Sequence, residues 1–122
     1  MPEQLISTYS MSYANLVVGS EPVVTTAVTL KAGRAYVAGS VIGLATADDK
    51  GSLVDSTKTD GTENVYGVLA DNIDATAADA PGVVYLKAEL NGAALVFGGT
   101  DTLDTHKQSM RNIGLYVRNI KA

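Results

Sequence analysis

The chain has 122 residues, the length of one domain, and a fold of that size buries roughly two-thirds of the surface its unfolded chain exposes. A formal charge of −4 argues against nucleic acid as a partner, since a phosphate backbone needs clustered Lys and Arg to release its counterions. The absence of Cys excludes disulfides, thiol chemistry and thiolate zinc sites, so stability is indifferent to the redox state of the surroundings.

Much of the 46% apolar content is Ala and Val, and the aromatics are six Tyr and one Phe with no Trp, so the core is expected to be thin. Glycine at 12 residues, with abundant Thr, Val and Ala, favours short strands and tight turns. The fold class expected is mainly β: antiparallel strands with one short C-terminal helix. The first 30 residues hold no Lys or Arg and are broken by polar residues, unlike a secretory signal. The uncharged stretch 35–47 contains Gly39, Ser40, Gly43 and Thr46 and is too short and polar to span a bilayer. Synthesis in the cytoplasm and no membrane partner are expected.

Residues 1–22 carry no base and scatter Leu5, Ile6, Tyr9, Met11, Tyr13 and Leu16 among polar residues. Alternation puts Thr8, Ser10 and Ser12 on one face and Tyr9, Met11 and Tyr13 on the other, a one-faced strand if a sheet were there to join. Two readings stand, a frayed terminus and an arm that orders on a partner. Exposed Tyr and Met are costly in water, which favours the arm, with those six apolar side chains as its candidate contact residues. The division expected is a flexible N-terminal arm over 1–22 and a β domain over 23–122.

The β-branched run Val23 to Leu30 reads as a strand closed by the turn Lys31-Ala32-Gly33. Ala35 to Ala38 and Val41 to Ala47 form a strand pair interrupted at Gly39-Ser40, and Asp48 to Gly51 makes a polar turn before a strand over Ser52 to Val54. Asp55 to Glu63 is a polar loop with Asp60-Gly61 at its tip. A strand then resumes over Asn64 to Ala70, where Gly67 suggests a bulge or a close backbone approach. Asp74 is placed to cap a single helical turn over Ala75 to Ala78 that Pro81-Gly82 stops. Val83 to Leu90 is the strongest strand, and Asn91-Gly92 after it is a hairpin-type dipeptide. Ala93 to Phe97 is apolar and Gly98-Gly99 breaks it.

The helix expected near the end starts at a cap on Thr100 or Thr102. Asp101 and Asp104 suit its N-terminus, and Lys107 and Arg111 its C-terminus. Leu103, Met110 and Ile113 supply the apolar face, Gly114 the stop, and Leu115 to Val117 a closing strand.

No catalytic constellation emerges. His106, the single histidine, has no serine or cysteine nucleophile in a recognisable setting, and it reads with Asp101 and Asp104 as helix cap and solvated surface. No second strong metal ligand and no calcium-type acidic run accompanies it, and no phosphate loop occurs. No cofactor is expected. Eight acids between Asp48 and Asp79 face only Lys50 and Lys58; they read as turn formers and soluble surface, with a weak cation site as the lesser reading. The last 18 residues hold Lys107, Arg111, Arg118 and Lys121 with no acid, either a solvated helix or a basic face for the acidic middle of a neighbouring copy.

The order of pieces from Asp60 to Val117 is specific. Asp60-Gly61, Tyr66-Gly67-Val68-Leu69-Ala70-Asp71, Asp74-Ala75-Thr76-Ala77-Ala78-Asp79-Ala80-Pro81, Val83-Val84-Tyr85-Leu86-Lys87 and the segment Asp104 to Val117 follow one another. In that order they resemble the lambda-type bacteriophage head decoration proteins, and Val41-Ile42-Gly43 is similar as well. The resemblance implies a β-clip-like, mainly β domain with a short helix. It implies a homotrimer at three-fold positions on the outer surface of the expanded capsid, cementing capsomers of the major capsid protein and stabilising the head. It further implies an N-terminal segment that orders against that protein, which supports the arm over the frayed end. Better-known members carry Pro-rich arms, whereas this one has Tyr, Met and Ser. The competing readings are a glycan- or cell-surface-binding module, virion-displayed or secreted, which calls for exposed aromatic platforms, and a small nucleotide hydrolase on a similar scaffold. Tyr36, Tyr66, Tyr85 and Tyr116 fall inside expected strands, which disfavours the first.

Overall fold

The computed structural model describes Val17 and residues 23–118. The expected arm residues Leu5, Ile6, Tyr9, Met11, Tyr13 and Leu16 lie outside that set. The described chain is mainly β, as its composition predicts. Its strands are β1 (Val24–Leu30), β2 (Arg34–Tyr36), β3 (Val41–Leu44), β4 (Lys50–Leu53), β5 (Gly67–Leu69), β6 (Ile73–Ala75), β7 (Ala80–Asn91) and β8 (Leu115–Arg118), with the helix α1 (Leu103–Asn112) before the last.

Five strands close on themselves. Their order is β1-β4-β3-β5-β7, and β7 pairs back with β1 in antiparallel register from Val24↔Lys87 to Leu30↔Ala80. Most pairings are antiparallel; β1 with β4 and β7 with β8 are parallel. Strands β2 and β6 form a separate two-stranded sheet. Closure leaves the ring no open edge.

Neighbouring residues on the central strands go to opposite faces, and both faces are buried. Ile42, Leu69 and Val84 join Val28 and Leu30 in one core, with Tyr36 and Ala75 of the small sheet packed on it. Their neighbours Val41, Val68 and Tyr85 join Val54, Met110 and Leu115 in the other. This two-sided burial explains why Val41-Ile42 and Val68-Leu69 are apolar runs instead of alternating ones. Gly67 is the close approach its mid-strand position suggests, since a Cβ there would lie 2.8 Å from the Tyr85 carbonyl oxygen.

Helix α1 follows the sequence signals closely. Thr102 is its N-cap in extended conformation, its N–H donating to Thr105 Oγ1 at 3.2 Å, and Gly114 takes φ +100 just past the end. Asp104 in the first turn and Arg111 in the last suit the helix dipole. The buried face differs from expectation: His106 and Met110 are buried, Leu103 is half-buried, and Ile113 is 45% exposed. His106 and Met110 stand four residues apart and so share a face, which an apolar-only pattern cannot see.

Three local expectations are corrected. Ile73–Ala75 is a strand paired with β2, not a helical turn, because the pairing partner lies far away in sequence. Asp74 still bonds forward, accepting from Thr76 N at 3.0 Å. Pro81-Gly82 does not stop an element but lies within β7, in a stretch that β5, paired only at Val84 and Tyr85, does not reach. Proline is tolerated in such a singly flanked strand. After Asn91 the chain makes a 3-10 turn at Gly92–Ala94 instead of a hairpin, with Asn91 Oδ1 accepting from Ala93 N at 3.1 Å. It then crosses to β3, where Val96 bridges Ser40.

Met110 is fully buried, so Met110→Ala is expected to cost about 2–5 kcal/mol. Gly67→Ala, which forces a methyl against the Tyr85 carbonyl, is expected to cost about 1–3 kcal/mol. Denaturant midpoints measure both, and a shift for Met110→Ala within about 0.5 kcal/mol would contradict the packing of α1.

Candidate functional site

The last four residues of β7, Ala88–Asn91, are where Val17 meets the sheet. The β1 ladder stops at Lys87, and beyond it Ala88–Asn91 pairs in parallel with β8. Leu90, fully buried, pairs there with Val117 and also forms an antiparallel bridge to Val17. Val17 is half-buried and packs on the core that holds Met110 and Leu115. Part of the segment expected to act as an arm is therefore tied to the domain by both a backbone bridge and an apolar contact.

Beside this end, α1 is pinned by a buried polar cluster. His106 Nε2 lies 2.6 Å from Asp101 Oδ2, and the two side chains are 5% and 4% exposed. Ser56 Oγ donates to Asp101 Oδ1 at 2.7 Å and Ser56 N to Oδ2 at 2.6 Å, which ties the loop after β4 to the helix start. The imidazole stacks on Phe97 with ring centroids 5.6 Å apart and planes 9° from parallel. The reading of His106 and Asp101 as solvated surface is thus overturned. Asp101 precedes the helix, so the separation of five residues does not place it on the helical surface where spacing rules apply, and the stacking partner Phe97 comes from the same segment before the helix.

This cluster has the residue types of a hydrolytic triad in the wrong order. The carboxylate stands between serine and imidazole, so the serine donates to the acid and has no base beside it. Its arrangement serves to hold a loop and a helix together.

The acids between Asp48 and Asp79 build turns, as their sequence context suggests. Asp55, Asp60 and Asp74 each accept from the backbone N–H and the hydroxyl of the threonine two residues on, Thr57, Thr62 and Thr76. Asp79 pairs with Lys50 at 2.7 Å and accepts from Ala32 N. These bonds hold the carboxyl groups of all four below the usual aspartate range. Hydrogen bonds from Ser56 first, then His106, do the same for Asp101.

A family model for bacteriophage lambda head decoration protein D matches residues 10–114. The chain belongs to this family. No curated protein matches it. As a phage head decoration protein it associates with a phage capsid, and its place is the virion. The matched span takes in Val17, β1 to β7 and α1.

The tyrosines of the decoration protein are mostly packing groups. Tyr36 is 3% exposed, its hydroxyl donates to the Lys31 carbonyl at 2.9 Å, and burial is the main cause that raises its pKa. Tyr85 is buried and Tyr66 half-buried; Tyr116 is 44% exposed. No platform of stacked exposed rings, which glycan binding would favour, is found among the described residues.

The lowered carboxyl pKa values set a pH dependence. A carboxylate whose folded pKa is depressed stabilises the fold above its unfolded value, near pH 4, and loses that contribution as pH falls through the folded value. The thermal midpoint of the decoration protein is expected to fall on acidification below about pH 4. Asp101→Asn lowers the midpoint at neutral pH and makes its decline in acid shallower; an acid decline as steep as wild type would remove Asp101 from this account.

Proposed function

We propose that the decoration protein binds as trimers to the outer surface of the expanded phage head at three-fold positions and stabilises it. In this reading residues 23–122 form the trimer body and residues 1–22 the arm that contacts the major capsid protein. The observation that supports it is the bridge between Val17 and Leu90, which gives the arm a fixed root at the end of β7. Upstream of that root, Tyr9, Met11 and Tyr13 alternate with polar residues, the pattern of a strand that adds to a neighbouring sheet. Such addition gains main-chain hydrogen bonds, while alternate side chains fill pockets. Three arms on one trimer raise the effective concentration of each, so weak single contacts sum to firm attachment.

Removing residues 1–16, which spares Val17, is expected to leave a folded trimer by light scattering and to abolish co-sedimentation with expanded empty heads. Heads carrying the full chain should rupture at a higher temperature than bare heads. Binding by the truncated chain at full strength would refute the role given to the arm.

A further inference from the structure

Two surface patches at opposite ends of the domain carry opposite charge. The first lies between α1 and β8. Lys107 and Arg111, one helical turn apart, line a pocket of about 140 Å³ with Tyr116 and Val117. Neither cation forms an ion pair among the described residues, and Tyr116 is 44% exposed. The second is an open groove of about 570 Å³ along the seam of the barrel, walled by Ala27, Thr29, Leu44, Tyr66 and Pro81 with Asp49 beside them. Asp48 and Asp49 are both exposed, and Asp49 is held at φ +57 by the turn into β4.

We infer that these patches are the two halves of one contact between copies of this chain. Tyr116 of one copy seats in the seam groove of the next, and Lys107 and Arg111 face its Asp48 and Asp49. The inference rests on the trimer proposed above and names its interface. Three observations carry it. The groove is walled by apolar and polar groups in about equal part, and the basic pocket carries a 44% exposed Tyr116, a residue type enriched at interface centres. The charges at the two patches are opposite, which steers docking and rejects wrong pairings. Pro81 and the start of β8's ladder at Ala88 are seven residues apart on one strand, about 23 Å at the usual strand rise, so no copy can satisfy its own groove. Two different patches on each copy make a head-to-tail contact, and a head-to-tail contact that closes generates a ring.

Charge exchange tests this. In wild type, analytical ultracentrifugation over a wide concentration range should give a trimer that weakens as salt rises. Lys107→Glu with Arg111→Glu, and separately Asp48→Lys with Asp49→Lys, should each raise the dissociation constant at least tenfold while circular dichroism stays native. Combining all four substitutions in one chain restores opposite charge at every contact and should recover the trimer. Lys107→Ser with Arg111→Ser, and Asp49→Asn, which suits the left-handed backbone, give milder losses in the same direction should a reversal disturb folding. A wild-type monomer at every concentration would refute the trimer itself. A trimeric wild type whose folded reversal variants stay trimeric, or whose fourfold variant stays monomeric, would overturn this interface alone. Reversal variants that keep the trimer but lose binding to heads would also overturn it, by assigning the basic patch to the capsid.

Discussion

Seven pairs between β1 and β7, from Val24↔Lys87 to Leu30↔Ala80 with one register shift between Val24 and Thr25, turn a sheet into a ring, and the remaining elements take their places from it. Closure puts Leu30, Ile42, Leu69 and Val84 into one core. The opposite faces of the same strands are left apolar, so a second layer has to cover them. Helix α1, β8 and the crossing segment around Leu95 and Phe97 supply that cover, and Val17 adds to it. A five-stranded ring of short strands is too small to bury enough surface alone, and a two-sided sheet spreads the same few side chains over two cores. The thin, Val-rich composition is adequate because it is used twice.

The parts of this fold legible in the sequence are those set by near neighbours. Thr102, Asp104, Arg111 and Gly114 bracket α1 because caps and charges act within one turn. The Asp-x-Thr turns at Asp55, Asp60 and Asp74 are similarly local. The elements that differ from expectation depend on distant partners. Ile73–Ala75 is a strand only because β2 lies beside it, and β7 runs through Pro81 only because β1 flanks it there. The hairpin signal at Asn91-Gly92 lost to a 3-10 turn because the chain finds Ser40 instead of a returning strand.

His106 is the instructive residue of the candidate site. Its type and neighbours suggested solvent, and a polar residue on a polar helix carries no periodic signal. The spacing Thr102, His106, Met110 was the available clue, since it places the imidazole over the same face as a buried methionine. Phe97 stands in the segment that leads into the helix, but nothing local identifies Ser56, which arrives from the loop after β4. Family membership, by contrast, was legible from the order of short motifs, none of which is chemically distinctive alone.

The ring has a further consequence for a protein that associates with a phage capsid. Exposed strand edges invite further strands, and unlimited addition would produce fibres. Here the described edges outside the ring are short: β2 and β6 have three residues each and β8 has four. The longest strand, β7, is flanked over most of its length, and its final stretch is held by β8 and by Val17. Few strand edges are thereby left among the described residues for another chain to extend.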